Sequence, residues 1–367
     1  MCYIIVVKNA NQEAEMNKKV TIQDIADALG ISRNTVSKAI NNTEGLADAT
    51  REKILQKAME MGYKQFSYAG AIAAISGAPA APETERPATP GYQGEIALLT
   101  GSFLTHSHFA SLMLDKFQRE ISQLGYTMNT HRVTGTELAN KTLPITMNMG
   151  QIKAIMCIEM FDWDYDEMLC GLDVPILFVD GPAKRSGRSL PADQLYMDNT
   201  TEITRFVNDM LEKGFTKIGF VGNYDHCQSF FERYSAYYLT MLMAGQKIED
   251  RFVIKQNHRE ELMEIIPDMP ELPEIFICAN DFVATDLMQA LAAAGKRVPE
   301  DVRLCGFDDS AESRLSKPPL TTVHIHTQVI AYSAVHLLIS RIKAPSLDYR
   351  TVHTETNLIY RESTGTL

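Results

Sequence analysis

From residue 95 onward, short apolar runs alternate with amphipathic segments of helical period, and few folds accept that pattern. The strand-like runs are 96–100, 154–158, 175–180, 217–222, 252–255, 275–279, 303–307 and 321–325. Between several of them lie helical stripes, such as Phe109, Leu112, Met113, Phe117, Ile121 and Leu124, or the segment 283–294. Strands that are apolar on every residue bury both faces, so the alternation predicts open parallel sheets covered by helices on each side. Roughly 270 residues exceed one unit of this kind, which predicts two Rossmann-like subdomains in one chain.

The N-terminal part follows a different period. Ile22, Ile25, Ala26 and Leu29 form the stripe of a helix buried on one face, and Gly30 ends it. Ser32 is a suitable N-cap for a second helix to about Ile40, with Val36, Ala39 and Ile40 turned inward. Residues 41–45 read as a loop, and Ile54, Leu55, Ala58 and Met61 as the stripe of a third helix that stops at Gly62. Three short helices with a tight first turn match a helix-turn-helix. Residues 77–94 carry four prolines and few apolar anchors, the composition of an extended linker.

Charge separates these parts further. The chain carries −11 overall, yet residues 18–68 hold eight Lys and Arg against six acids. A slightly basic head on an acidic body implies that only the head meets phosphate. No apolar run approaches the ~20 residues of a membrane span, and the apolar start at 1–7 is followed at once by polar residues, so export is not expected. The six cysteines form no C-x-x-C pair, and three sit in apolar runs, which fits a reducing cytoplasm.

The segment VTIQDIADALGISRNTVSKAIN at 20–41 resembles the DNA-binding head of the lac and galactose repressor (LacI/GalR) family. The resemblance continues through TREKI at 50–54 and MGY at 61–63. It returns in the body at AND (279–281), VPEDVRLCGFDDS (298–310) and PLTTV (319–323). It implies a helix-turn-helix head at 18–64, a hinge and linker at 65–93, and a periplasmic-binding-protein-like α/β body at 94–367 that binds an effector and dimerises. The head begins near Lys18, so residues 1–17 are expected to be a disordered extension. The family's function would be transcriptional regulation, most often repression, from a pseudo-palindromic operator read by two heads.

A helix entering the major groove offers its first turn to base edges, and here that turn carries Arg33 and Asn34, with Lys38 one turn later. Arg and Lys suit guanine, and Asn suits adenine. Thr21, Thr35, Ser37 and Asn41 have short hydroxyl or amide groups suited to phosphate. In the family a hinge helix follows and wedges an apolar side chain into the minor groove, which register places at Ile72. This chain departs from the pattern: Gln65-Phe66 replaces the usual Pro-Asn, and Gly70 lies inside the would-be helix.

For the effector, the resemblance points to Arg233, Asn280 and Asp308. Asn280 and Asp308 each follow an apolar strand, the edge where open sheets bind ligands. Guanidinium, amide and carboxylate together suit a polyhydroxy compound. Asp180 and Ser102 occupy strand ends of the same kind, and His108-Phe109 opens a helix where the family often stacks an aromatic on the effector. A sugar, phosphosugar, nucleoside or purine would each be compatible.

His106 with His108, and His324 with His326, could each point two imidazoles one way, but no neighbouring Cys or carboxylate has metal-motif spacing, so neither a metal nor another cofactor is expected. Trp163 sits in an Asp-rich loop from which it could line the cleft, but a surface position is expected. No P-loop, nucleophile elbow or glycine fingerprint occurs, which argues against an enzyme. An exported sugar-binding protein would share the body but not the head. No segment after about residue 363 could form the extra helix that tetramerises some family members, so a homodimer is expected.

Overall fold

The computed structural model describes residues 21–40, 50, 53–54, 57–58, 61, 91–101, 108–184 and 187–365. The chain divides into two units, Met1–Ala88 and Thr89–Leu367.

In the first unit, α1 (Ile22–Leu29) starts at a capping box. The Thr21 hydroxyl accepts from the Asp24 amide, and the Asp24 carboxylate accepts in return from the Thr21 amide. Gly30 ends the helix at φ 65°, the left-handed conformation that glycine adopts without a Cβ penalty. Two residues later the Ser32 hydroxyl accepts from the Thr35 amide and opens α2 (Arg33–Ile40). Ile25, Ala26, Val36 and Ala39 close on Ile54 and Ala58, which are themselves in helical conformation. The stripes read from the sequence are the core of this unit.

In the second unit all eight expected runs are strands; seven of them lie in two parallel sheets, and the eighth, at 322–325, pairs antiparallel with the strand at 356–359. The first sheet has the order β11-β5-β4-β3-β1-β2 and the second β7-β6-β8-β9. Their ranges are β1 Gly94–Thr100, β2 Tyr126–Arg132, β3 Ile152–Ile158, β4 Ile176–Val179, β5 Asp193–Met197, β6 Ile218–Val221, β7 Val253–Ile254, β8 Ile275–Cys278, β9 Arg303–Cys305, β10 Thr322–Ile325, β11 Thr351–Thr354 and β12 Thr356–Ile359. Along β1, Ile96 and Leu98 enter one core while Ala97 and Leu99 enter another, as two-faced burial requires. The helices are α3 His108–Gln123, α4 Gly135–Asn140, α5 Trp163–Cys170, α6 Thr201–Glu212, α7 Gln228–Met243, α8 Arg259–Asp268, α9 Asp281–Ala293, α10 Ala311–Leu315 and α11 Thr327–Lys343. Helices α3 and α11 pack together at the first sheet, and α6 packs against α7 and β12 in the second lobe.

Four strands escape the apolar pattern: β2, β5, β11 and β12. β2 is an edge strand with most side chains in water or only half covered, so nothing apolar marks it. β5 is fully buried yet begins Asp193-Gln194, polar residues that only tertiary partners make tolerable.

The chain crosses between the lobes three times, after β5, after β10 and after β11. These crossings are bonded to one another. The Asp198 amide donates to the Thr354 carbonyl (2.7 Å), the Thr356 hydroxyl to the Asp198 carbonyl (2.9 Å), and His326 Nε2 meets Asn357 Oδ1 (2.7 Å). Three short parallel connections of this kind make a hinge.

One core residue is costly. Asp166 on α5 is wholly buried, and neither carboxylate oxygen has a hydrogen-bond partner. Burial, with Asp162 adding to it, pushes the carboxyl up to about 8; the buried thiol of Cys157, the half-buried thiol of Cys170 and the phenols of Tyr165 and Tyr196 are other titratable neighbours. The folded protein therefore holds a proton at neutral pH that the unfolded chain releases. This cost is absent below the unfolded pKa near 4 and grows until about pH 8. Asp166→Asn should accordingly stabilise the protein by about 1–3 kcal/mol at pH 8 and much less at pH 5. Thermal melts at both pH values check this, and an equal or absent gain at the two would show that the carboxyl is not the cost.

Candidate functional site

On α2, Arg33, Asn34 and Lys38 are exposed and Ser37 half-exposed, opposite the buried Val36 and Ala39. The face that the sequence assigns to base edges is thus the free face of the helix. Thr35 is half-buried, and its hydroxyl shares a 2.7 Å hydrogen bond with Ser32. The Thr21 hydroxyl donates to the Asp24 carboxylate within the capping box, which commits it to the cap. Asn41 and Ile72 lie outside the described residues.

The second candidate site lies where strand ends of the two lobes face each other. Glu159 after β3, Asp180 after β4, and Asp308 and Asp309 after β9 all have positive φ (55°, 60°, 115° and 53°), a conformation non-glycine residues hold only under constraint. Such strain concentrates at ligand sites. Asp180 Oδ1 accepts from the amides of Gly181 (2.8 Å) and Ser229 (3.2 Å), the latter at the start of α7. Burial nevertheless pushes this carboxyl up, opposed by those bonds and by Arg233.

Arg233 is 3% exposed. Its Nε donates to Asn199 Oδ1 (2.9 Å), its Nη1 donates to the Ala279 carbonyl (2.7 Å), and the guanidinium lies 3.5 Å from the Phe307 ring centre. The same Nη1 stands 3.9 Å from Asp308 Oδ1. Burial pushes Asp308 up to about 8; Arg233 opposes this, while Asp281, Glu159 and Asp180 reinforce it. Behind Asp308, Gly306 comes so close to the Asp281 carboxylate that a Cβ would collide with it.

The structure therefore brings together Asp180, Arg233 and Asp308. Asn280 is at the expected strand end, but its side-chain oxygen caps α9 by accepting from the Val283 amide (3.0 Å). His108 and Phe109 are the first residues of α3, their side chains outside the described set, and Ser102 and His106 lie outside it altogether. Trp163 is half-buried, contrary to the surface position expected, because its Nε1 donates to the Ala183 carbonyl (3.1 Å) and its ring packs with the cluster of Leu169 and Phe178. His324 and His326 lie edge to face at 4.9 Å, and one nitrogen of each ring has a separate partner, His324 Nδ1 with Asp309 (2.9 Å) and His326 Nε2 with Asn357 (2.7 Å). Among the described residues no three His, Cys, Asp or Glu side chains group as metal ligands.

Sequence reasoning missed Glu159, which ends an apolar run and could have been found by the rule that found Asp180. It also missed Asn199 and Ser229, joined to each other at 3.2 Å, which no local pattern marks.

Residues 21–65 match the family of bacterial regulatory proteins, lacI family, and residues 207–364 match the periplasmic binding protein-like domain. The chain belongs to the lacI family of bacterial regulatory proteins. As a member it is a DNA-binding regulator of transcription, with a helix-turn-helix head and a periplasmic-binding-protein-like α/β body. Among its relatives is the HTH-type transcriptional repressor PurR of Vibrio atlanticus (strain LGP32), 27% identical over 361 residues that span 95% of this chain and 99% of the relative. Solved structures of similar fold include a transcriptional regulator CelR–cellobiose complex (TM-score 0.64, 20% identity, 94% of this chain and 100% of that one). A lac repressor dimer bound to operator and the anti-inducer ONPF is also similar (TM-score 0.62, 19% identity, 95% and 100%).

Proposed function

We propose that this protein is a cytoplasmic repressor that binds operator DNA as a homodimer and is controlled by a small carbohydrate-like effector held between the two lobes of its body. The observation that carries the reading is the convergence of Asp180 and Asp308, at strand ends, on Arg233 of α7, beside the three connections of the hinge. A ligand bridging those ends would change the angle between the lobes, and hence the spacing of the heads, which is linkage between two sites. The cellobiose in the CelR structure supports a sugar-like ligand, and the operator-bound lac repressor dimer supports the DNA partner. In this reading residues 18–64 form the head, 65–93 the hinge and linker, and 94–367 the effector and dimerisation body. No helix among the described residues is long and apolar enough to cross a membrane.

Helix α7 supports dimerisation. Tyr238, Leu239, Leu242 and Met243 are 40%, 53%, 57% and 87% exposed on the face opposite its buried residues. An apolar stripe of that kind marks an interaction surface.

Selection of bound sequences from a random DNA pool should return a pseudo-palindrome. Arg33→Ala, Asn34→Ala or Lys38→Ala should then each cost about 1–3 kcal/mol and relax preference at one position, whereas Ser37→Ala weakens all sequences alike. Uniform losses across all four variants would overturn the base-reading assignment. For the effector, Asp308→Ala should abolish ligand-induced thermal stabilisation while operator binding by the free protein persists. A wild-type response to the effector in that variant would move the site elsewhere. An enzyme or a carrier sharing the body would show no sequence-selective DNA binding.

A further inference from the structure

We propose that His353 and Glu232 form a proton-operated latch between the two lobes, closed while the imidazole is charged; its effect on operator binding rests on the linkage between lobe angle and head spacing proposed above. His353 lies on β11, at the edge of the first sheet, one residue before the third crossing begins. Glu232 lies on α7 of the second lobe. The Tyr196 ring on neighbouring β5 stacks on the imidazole (5.3 Å, 25°) and directs it, and His353 Nε2 stands 3.8 Å from Glu232 Oε1. At that distance the attraction is Coulombic rather than a hydrogen bond, so it vanishes when the ring is neutral.

The carboxylate is itself held in place. Glu232 Oε1 accepts from Gln228 Nε2 (2.9 Å) on the same helix, and Oε2 accepts from Asn199 Nδ2 (2.8 Å) in the first crossing. Gln228 is in turn clasped by the first lobe: its amide donates to the Gly181 carbonyl (2.8 Å), and its side-chain oxygen accepts from the Lys184 amide (2.7 Å). One carboxylate thus gathers α7, a crossing and the edge of the first sheet. Each of these contacts except the His353 pair uses an amide donor, which keeps its hydrogens between about pH 5 and 8. The pair alone can be switched by a proton.

The charged or titratable groups facing the ring are Glu232 from α7, Asp198 from the first crossing, Lys184 from the loop after β4 and Tyr196 from β5. Asp198 accepts from the Thr200 and Thr201 amides at the start of α6 (2.9 and 3.0 Å), Lys184 donates to Gln194, and burial keeps the Tyr196 phenol protonated. Glu232 therefore dominates and raises the His353 imidazole above its ordinary value, against burial and Lys184. Burial would push Glu232 up, but the contacts from His353, Gln228 and Asn199 outweigh it and hold the carboxylate charged. A raised imidazole makes a pair that is complete below the unfolded value near 6.5 and is lost as pH rises through the folded one. No histidine precedes His106 in the sequence, so no imidazole of the head can imitate the effect.

The test compares the full-length wild type with His353→Gln, always neutral, and His353→Lys, always charged, near pH 6 and near pH 8. Amide hydrogen exchange at the start of α7 and in segment 354–357 reads opening of the latch, and each comparison is made at a single pH so that other titrations cancel. His353→Gln should exchange there about two- to fivefold faster than wild type near pH 6, the scale that a half-exposed pair supplies, and equally near pH 8. His353→Lys should exchange more slowly than wild type near pH 8 only. Glu232→Gln, which leaves the imidazole on Tyr196, should reproduce His353→Gln near pH 6. Equal exchange in wild type and both glutamine variants near pH 6, or a difference of the same size at both pH values, would overturn the latch. Operator affinity should shift with pH by a similar factor in the wild type and by less in the His353 variants. If exchange shows the latch but operator affinity ignores it, the latch stands and the linkage of lobe angle to the heads falls.

Discussion

Asp193→Ala is expected to lower the stability of the protein by about 3–5 kcal/mol, the cost of breaking a buried ion pair from one side. Asp193 opens β5 and is 1% exposed. Its carboxylate receives Nε (3.1 Å) and Nη2 (2.8 Å) of Arg341 on α11, and the amide (2.8 Å) and Nη2 (2.8 Å) of Arg350, which leads into β11. These bonds attach the returning helix and the edge strand to the first sheet across 148 and 157 residues of sequence. Alanine would leave Arg341, 5% exposed, with backbone carbonyls as its remaining partners. Burial alone would push the Asp193 carboxyl up, but the arginine bonds outweigh it and hold it below the ordinary carboxylate range. Its contribution is therefore present above the unfolded pKa and is lost as pH falls through the lowered folded value. Denaturant unfolding of wild type and variant should differ widely at pH 7, and the difference should shrink as pH falls below the unfolded carboxylate value near 4. A variant within about 0.5 kcal/mol of wild type at neutral pH would show that the pair carries no net stability.

Leu242→Asp should reduce operator affinity by about 10²- to 10⁴-fold, because two linked half-site contacts would be reduced to one. The side chain is already 57% exposed, so the change should cost the isolated fold little. Its damage would be to the partner surface, where a carboxylate would be buried opposite a second copy of the Leu239, Leu242 and Met243 stripe. Sedimentation should show a monomer with wild-type circular dichroism, together with the loss of operator affinity. A variant that remains dimeric and binds operator as wild type would place the interface on another surface.

Much was legible in the sequence because it is written in local periods. The helical stripes of α1 and α2 and the Gly30 stop depend on neighbours three or four residues away, so the chain alone specifies them. The apolar runs of β1, β3, β4, β6 and β8 announce themselves because both faces of a central parallel strand are buried. The same logic puts Asp180 and Asp308 at strand ends, where the effector site was expected.

What the local sequence could not contain was any arrangement made by residues far apart. β5 is polar at its start because Arg341 and Arg350, near the other end of the chain, neutralise Asp193. Trp163 is covered because Ala183 offers a carbonyl to its indole. Arg233 looks, in sequence, like a cation wholly free for a ligand, yet in the folded protein its Nε is held by Asn199, its Nη1 by the Ala279 carbonyl and one face by Phe307. Residue types and their spacing determine which groups a strand end presents. Whether those groups remain available, and what net charge they offer a ligand, is decided by hydrogen bonds between distant segments, because desolvation and Coulomb interaction depend on distance in space and not along the chain.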